Sequence, residues 1–245
     1  ILNNFAAMKR INKLKDESLS KELVFDLHQL VTTKTLDDSS AVGRFRTADE
    51  KVHVIDVYNE VFHDPPPANQ LEERMAAMCA FANGRTPEHF VHPAIRAIIL
   101  HFWMAYDHPF VDGNGRTARA LFYWLMLRHK YWLFEFVSIS QIIVKAPAKY
   151  ARAFLYTETD ENDLTYFIIY HLDIIRQAIK TLYEYIELKA KGLQAIENQL
   201  RGIQVLNHRQ RALISHALRH SRHKYTFKSH EISHNVVYQT SRLDL

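Results

Sequence analysis

The chain has 245 residues, of which 47% are hydrophobic and 12% aromatic, so it can bury a substantial core. Its formal net charge is +4, and no apolar stretch reaches the roughly 20 residues of a bilayer span, so we expect neither a membrane-spanning segment nor a membrane partner. A single cysteine, Cys79, excludes an internal disulfide and is typical of a reducing compartment, which favours a cytoplasmic location. The opening ILNNFAAMKRI has neither an initiator methionine nor a signal core, so we expect more chain upstream.

Apolar residues recur three or four positions apart along most of the chain, which predicts a mostly α fold. The predicted helices cover residues 2–15, 18–33, 69–83, 91–107, 115–130 and 163–200. Residues 43–67 differ, because β-branched and aromatic residues alternate there with charged ones before the run Pro65, Pro66 and Pro67. This segment predicts a short β-hairpin or extended flap, followed by a helix that begins near Asn69.

The charge is unevenly distributed. Residues 201–245 hold eight Lys and Arg against two acids, a net charge of +6, whereas residues 1–200 carry −2. This difference predicts two domains, 1–200 and 201–245, with different partners. Six histidines lie in the second segment, but without cysteines or paired spacing they do not indicate structural zinc.

The stretch HPFVDGNGRTAR, residues 108–119, concentrates polar chemistry between two predicted helices. Pro109 disfavours helix at the preceding residue, so His108 should project from a junction between helix and loop. Gly113 and Gly115 bracket Asn114 and predict a backbone that adopts positive φ and approaches a ligand closely. The helix that follows directs the free amides of its first turn at this loop, which is the arrangement that binds a phosphate.

Charged residues complete this anion site. Arg116 and Arg119 are three positions apart on the predicted helix and can hold further phosphates. Asp112 would repel an anion unless a cation lay between them, and Mg²⁺ suits one carboxylate combined with substrate phosphates. Each piece alone is also typical of a plain turn or a helix cap, but together they favour a functional site.

HPFVDGNGRTAR resembles the active-site motif of the Fic family at every position. The resemblance implies a Fic-type helical bundle that transfers AMP from ATP to a Ser, Thr or Tyr hydroxyl of a target protein and releases pyrophosphate. It implies His108 as the general base and Asp112 as the ligand of Mg²⁺. It further implies that the phosphates are bound by Gly113, Asn114, Gly115, Arg116 and Arg119.

The resemblance extends on both sides of the motif. Upstream it implies that residues 43–67 form a flap whose edge pairs with the target. We assign His53, Val54 and Ile55 to that edge. The alternative is that these residues pack beneath the flap. Downstream, KYARAF resembles the segment that closes the adenine pocket, which nominates Tyr150. Asp107 replaces the apolar residue usual before the motif, where it either raises the pKa of His108 or caps the helix.

Other activities and a regulatory element occur among related proteins. Doc toxins, which phosphorylate, carry asparagine and lysine at this point, so Gly115 argues against that branch, whereas transfer of UMP, GMP or phosphocholine and removal of AMP stay open. Residues 157–162 match the inhibitory-helix motif of many Fic proteins, but they lie in a predicted loop after KYARAFLY, and we reject the match. We expect an inhibitory helix upstream of Ile1, in which case this chain is deregulated.

The basic tail, residues 201–245, resembles a partial winged helix-turn-helix module that we expect to be truncated before the wing. It has one helix in LNHRQRALISHAL, a strand entry and short helix in KYTFKSHEISH, and a third helix in NVVYQTSRLDL. The third helix would be the recognition helix, which nominates four residues for DNA contact: Tyr238, Gln239, Thr240 and Arg242. A module for protein contacts or dimerisation is the alternative.

Two functions are therefore expected. The first is a protein adenylyltransferase that uses ATP and Mg²⁺, with a hydroxyl-bearing protein as its partner and a homodimer and DNA as further candidate partners. The second is a DNA-binding transcriptional regulator whose Fic domain only binds nucleotide.

Overall fold

The computed structural model describes residues 2–36, 38–55, 61–203, 205–220 and 222–245. The chain divides into two compact units, residues 1–179 and 180–245. The division falls inside one long helix, upstream of the expected boundary at 200/201, and the assignment of two domains stays a prediction. No helix of the described residues combines the length and the apolar character that crossing a bilayer requires.

Seven helices and the first part of an eighth form the first unit among its described residues. Their bounds are α1 Leu2–Leu14, α2 Lys21–Thr32, α3 Leu71–Ala82, α4 Pro93–Asp107, α5 Asn114–Arg128, α6 Ile139–Lys145, α7 Pro147–Thr159 and α8 Thr165–Gly202. Short 3₁₀ turns occupy Ser39–Ala41, Ala68–Gln70 and Trp132–Glu135. The mostly helical prediction is confirmed.

Helix α5 is the centre of this unit. It packs against α4, α1 and α2. Its residues 120–127 are all buried, which is the pattern of a helix covered on every side rather than on one face. The largest side chains of this core include Trp124 and Leu121 from α5 with Leu100 and Met104 from α4. Because α4 and α5 are fixed along their lengths, the loop that joins them has little freedom.

Helices α6 and α7 were not predicted. Helix α6 has only seven residues, too few for a repeated apolar period. Helix α7 begins at Pro147, a favoured first residue, but buries only Ala153 and Thr157, so its apolar pattern is weak. It continues to Thr159, so the loop that we expected at residues 157–162 is wrong for its first three positions.

The structure describes only part of the segment that we predicted to form the flap. Val54–Ile55 forms strand β1 and Val61–His63 forms strand β2, which pair antiparallel with an irregular register. No strand occurs elsewhere in the described residues of 43–67. The turn of the expected hairpin, residues 56–60, lies outside the described residues. The hairpin flap as a whole therefore stays a prediction.

Three short helices follow in the second unit: α9 His208–Arg219, α10 Phe227–His234 and α11 Tyr238–Asp244. Capping boxes fix two of their starts: the side chains of Asn207 and Thr226 each accept from the backbone N–H at the third helical position, and their own backbone N–H groups donate to the side chain at that position. The expected strand entry is wrong, because the described residues 222–226 form no strand. The winged-helix assignment therefore has no support from strands in the described part of the tail.

Asp244 joins the elements of the tail. Its carboxylate accepts from Asn207 Nδ2 at 2.6 Å and Arg209 Nε at 2.5 Å, and it lies 3.1 Å from His230 Nε2. The Asp244 side chain is only 2% exposed. Hydrogen bonds from Arg209, and then from Asn207 and His230, hold the pKa of Asp244 well below its usual range.

We predict that Asp244→Ala destabilises the tail, because it removes the carboxylate that hydrogen-bonds Arg209, Asn207 and His230. Since the pKa of Asp244 is lowered on folding, its contribution is present at neutral pH and disappears as pH falls through the folded-state pKa. Hydrogen exchange of the α9 and α11 amides at neutral pH measures the loss. Glu231→Ala removes the tail's other acid and is the control; equal exchange in both variants would contradict the prediction.

Candidate active site

The motif segment of residues 108–119 covers the turn from α4 into α5. His108 follows the last residue of α4 in a left-handed conformation with φ +43°. Its Nδ1 lies 3.1 Å from the carbonyl oxygen of Ala105, which can only accept, so Nδ1 carries the proton and Nε2 keeps its lone pair. Burial lowers the pKa of His108 to about 4. At neutral pH the ring is uncharged, with a basic nitrogen away from its own helix.

Arg46 fixes the backbone on which His108 stands. Its Nε donates to the His108 carbonyl at 2.9 Å, and its backbone N–H donates to the Pro109 carbonyl at 2.8 Å. A further guanidinium nitrogen donates to the Pro66 carbonyl. Arg46 thus connects the segment that begins GRFR to both the motif and the proline run.

Helix α2 supports the other side of the loop through His28. Its Nδ1 accepts from the Gly43 N–H at 3.1 Å, so Nε2 carries the proton and donates to the Asp112 carbonyl at 2.9 Å. The same ring stacks on Phe110 with centroids 3.8 Å apart. Burial lowers the pKa of His28, which keeps this bridge uncharged. The sequence reasoning missed His28; its place on the apolar face of α2 was the available signal.

Gly113 leaves no room for a side chain between the motif loop and α2. Its φ is +85°, and a Cβ there would lie 2.4 Å from Thr32 Cγ2. Gly115 is different, because it lies within α5, has no positive φ, and its Cβ would meet only Arg119 Nη1 at 3.4 Å. The expectation that both glycines supply positive φ is therefore wrong for Gly115.

Asn114 is held by the backbone of Phe110. Its Oδ1 accepts from the Phe110 N–H at 2.9 Å, and its Nδ2 donates to the Phe110 carbonyl at 2.7 Å. The buried side chain of Asn114 therefore uses both of its polar atoms in hydrogen bonds that close the loop. Any contact of Asn114 with an anion would come from its backbone, at the start of α5.

Asp112 and Arg116 pair with each other. Asp112 Oδ2 lies 2.8 Å from Arg116 Nη2, and the Asp112 side chain is 59% exposed. Arg116 also donates to the Val31 carbonyl at 3.2 Å and to Thr35 Oγ1. The described residues contain no group of three or more His, Cys, Asp or Glu that could hold a metal. A single exposed carboxylate can bind Mg²⁺ only if phosphate groups and water molecules supply the remaining ligands of the ion.

Arg119 lies next to a buried tyrosine. The Tyr150 hydroxyl is 2.9 Å from His101 Nε2, and the nearby Arg119 charge acts to lower its pKa. Burial raises the pKa of Tyr150 to about 12, so its hydroxyl stays protonated. Tyr150 was nominated for the adenine pocket, and the polar end of its side chain is engaged by His101.

Two cavities are lined by some of the nominated residues, although Asp112, Gly113 and Asn114 line neither. The first has a volume of about 230 Å³ and is lined by His63, Ala105, Tyr106, His108, Gly115, Tyr150, Ala151, Phe154 and Glu158. Arg116 and Arg119 line a second cavity of about 280 Å³, together with residues of α1 and Tyr123. His63 and Glu158 are the residues of the first cavity that the sequence reasoning missed. They come from separate segments, β2 and α7, and no local motif marks either.

The remaining nominated residues lie away from the motif in sequence. His53 is exposed and its Nδ1 lies 3.2 Å from Asp64 Oδ1, while Val54 and Ile55 form strand β1. In the second unit, α11 exposes Tyr238, Gln239 and Arg242, and Thr240 is half-buried. Their roles in target docking and in DNA contact stay predictions.

Asp107 adopts neither arrangement that we considered. Its buried carboxylate pairs with Arg74 of α3, with Oδ1 2.6 Å from Nη2. Burial raises the pKa of Asp107, which the Arg74 guanidinium partly opposes. The residue before the motif therefore connects α4 to α3.

We predict that Gly113→Ala destabilises the chain by about 2–4 kcal/mol, because the added methyl group meets Thr32 and the backbone is left-handed. Gly115→Ala is the matched control, and it should stabilise by about 0.5–1 kcal/mol because it replaces a helical glycine. Chemical denaturation measures both. Thr32→Ser should recover part of the loss in the double variant, since serine lacks Cγ2 but can keep the hydroxyl bond to the His28 carbonyl; no recovery would contradict the contact.

The chain resembles Fic proteins in both sequence and structure. Residues 18–126 match the family model described as Fic/DOC family. A protein adenylyltransferase Fic of Nematostella vectensis is 33% identical over 125 residues, 50% of this chain and 27% of the relative, and one of Drosophila virilis is 33% identical over 138 residues, 54% and 25%. The chain thus matches about a quarter of the length of these relatives.

Solved structures show the same fold at lower identity. A Fic family protein from Desulfovibrio desulfuricans G20 superposes with a TM-score of 0.60 at 23% identity, over 76% of this chain and 52% of that one. Fic-1 from C. elegans gives a TM-score of 0.57 at 23% identity, over 78% and 51%. The match to the Fic/DOC family model spans residues 18–126, less than half of the chain, and the solved structures show that the fold is shared.

Proposed function

We propose that this chain is a protein adenylyltransferase that transfers AMP from ATP to a hydroxyl side chain of a target protein or of itself. The observation that carries the proposal is the uncharged His108, whose free Nε2 belongs to a cavity shared with Gly115 at the start of α5. A base and the first turn of a helix are thereby available to the same ligand. The names of the relatives support the choice of AMP as the transferred group.

In the proposed reaction the acceptor oxygen attacks the α-phosphorus of ATP. Its proton passes to Nε2 of His108, a new oxygen–phosphorus bond forms, and the bond from the α-phosphorus to the bridging oxygen breaks to release pyrophosphate. The free amides at the start of α5, preceded by Gly113, hold the α-phosphate, and Arg116 and Arg119 hold the outer phosphates. Positioning and charge neutralisation supply most of the acceleration.

Asp112 is the residue that would hold Mg²⁺. When bound, the ion neutralises phosphate charge and orients the pyrophosphate as a leaving group. Release of Asp112 from Arg116 would free a carboxylate for the ion and a guanidinium for phosphate together. The exposure of Asp112 supports this exchange, because an exposed ion pair costs little to break.

Strand β1 supports a docking role for the flap. A strand in a two-stranded sheet keeps one edge free for a further strand, so an extended segment of the target can pair with the edge at Val54 and Ile55. We retain Tyr150 as a wall of the adenine site, since it lines the cavity with His108. A cytoplasmic target fits the single cysteine of the chain.

We predict that His108→Ala lowers the rate of AMP transfer at least 100-fold while the Kd for ATP changes less than threefold, because it removes the base and leaves the phosphate site. The assay incubates the chain with MgATP, alone and with a cytosolic lysate, and detects added AMP by intact-mass and peptide mass spectrometry. His89→Ala changes an exposed histidine and is the control. Equal AMP transfer by the two variants would reject the role of His108.

The pH dependence follows from the lowered pKa of His108. Since the ring is uncharged above about pH 4, kcat/KM should be nearly constant between about pH 6 and 8 and should fall only as pH approaches 4. An acid limb centred near the ordinary histidine value of 6.5 would contradict this. The rate of AMP transfer at MgATP concentrations far below KM reports kcat/KM, and its measurement over the range in which the chain stays folded provides the test.

A DNA-binding regulator remains the second candidate, and a winged helix-turn-helix module in the tail belongs to it. It is favoured by the +6 charge of residues 201–245 and by the exposed face of α11. In that case Arg242→Ala should weaken binding to duplex DNA and make it less dependent on salt. Fluorescence anisotropy at several salt concentrations measures both, with Arg85→Ala as the control for loss of an exposed positive charge outside the tail. No binding at low salt would reject the candidate.

A further inference from the structure

His63 lies at the end of β2 with both ring nitrogens engaged. Its Nδ1 is 2.8 Å from Oε2 of Glu158 on α7, and its Nε2 is 2.6 Å from the carbonyl oxygen of Tyr106 on α4. The His63 side chain is 7% exposed, and that of Glu158 is 20% exposed. These contacts join three elements around the cavity that contains His108.

The two partners determine the charge of His63. A carbonyl oxygen and an ionised carboxylate both accept hydrogen bonds only, so each nitrogen must carry a proton and the ring is an imidazolium. Burial lowers the pKa of His63, but the hydrogen bonds to Glu158 and Tyr106 raise it by more, so the net shift is upward. The buried rings of His101 and His171 have no carboxylate partner, and burial lowers the pKa of both.

The Tyr106 carbonyl belongs to the last turn of α4, two residues before His108. Three bonds hold this turn and the junction: His108 Nδ1 donates to Ala105, His63 donates to Tyr106, and Arg46 donates to the His108 carbonyl. The His63 bond is the one that depends on a group across the cavity. Loss of the Glu158 charge would weaken it, because His63 would then lose a proton more readily.

We propose that Glu158, acting through His63, is a positioning residue that holds His108 and strand β2 at the cavity. The inference rests on the proposed transfer function and deepens it, because it makes the orientation of the base depend on an ion pair outside the motif. Glu158 contacts no reacting atom in this scheme. Its effect reaches His108 through the Tyr106 carbonyl and the charge on His63.

The neighbouring charges are few. Glu158 faces His63 from α7, Asp64 follows it in its own segment, and Asp107 of α4 interacts with it electrostatically. His108 is faced by His63, Arg46 and Asp112. The cation on His63 therefore contributes to the low pKa of His108, and neutral His63 would let that pKa rise.

The test compares Glu158→Gln, which removes the charge at nearly constant shape, and Glu158→Ala, which removes the contact. Glu161→Gln and Glu161→Ala change an exposed acid in the turn after α7 and are the matched controls. Each variant is measured in the full chain for kcat, ATP Kd and pH profile, and by ¹⁵N NMR of the histidine rings. The His63 and His108 resonances are assigned by their loss in His63→Gln and His108→Ala.

We expect the Glu158 variants to lower kcat about tenfold while the Kd for ATP changes less than twofold, and to move the acid limb to higher pH. In NMR, the midpoint of the His63 titration should fall by about one pH unit, and the His108 signals should shift. The Glu161 controls should match the unmodified chain.

Two results would overturn the inference. One is an unchanged His63 titration midpoint in Glu158→Gln. The other is a lowered His63 midpoint with a kcat and a pH profile equal to those of the controls. If the unmodified chain transfers no nucleotide, the proposed function fails, and the NMR signals decide the inference by themselves. In that case shifted His108 signals in Glu158→Ala support the positioning role, and unshifted signals refute it. Should Glu158→Ala fail to fold, Glu158→Gln decides by the same criteria.

Discussion

The motif loop depends on one uncharged ring. His28 on α2 accepts from Gly43 and donates to Asp112, so a single imidazole satisfies two backbone groups from different segments while it stacks on Phe110. This arrangement needs the ring neutral, because an imidazolium could not accept from Gly43. The close approach of Gly113 to Thr32 follows from the same contact between the loop and α2. The site is therefore built onto a rigid helix rather than onto a free turn.

Histidines in this chain differ in charge according to their partners. Burial lowers the pKa of His101, of His171 and, despite the nearby Asp112 carboxylate, of His108. His63 is equally secluded but faces Glu158, which raises its pKa. The direction of the shift follows the hydrogen-bond partners, since His63 bonds the Glu158 carboxylate and the Tyr106 carbonyl, whereas His108 bonds the Ala105 carbonyl. The cavity contains one histidine of each kind, a base and a cation.

Local patterns in the sequence predicted much of this molecule. Apolar periodicity located α1 to α5 and α8 within a few residues, and Pro109 marked the junction at His108. The positive φ of Gly113 was predicted, but the same reasoning failed for Gly115, because a glycine in a motif can also be the second residue of a helix. The weak apolar face of α7 concealed that helix, and with it Glu158. His28, His63 and Arg46 act on groups 43 to 84 residues away, which no local pattern reports.

The Asp112–Arg116 pair has a consequence for selectivity. In the absence of ligand the two opposite charges cancel at the mouth of the helix, so neither a lone cation nor a lone anion gains from entering without separating them. A ligand that brings both signs, as a metal-bound polyphosphate does, gives each side chain a new partner at once. Since Arg116 stays tied to Val31 and Thr35, the exchange needs movement chiefly from Asp112. For the proposed MgATP site, this pairing would favour a ligand that carries charges of both signs.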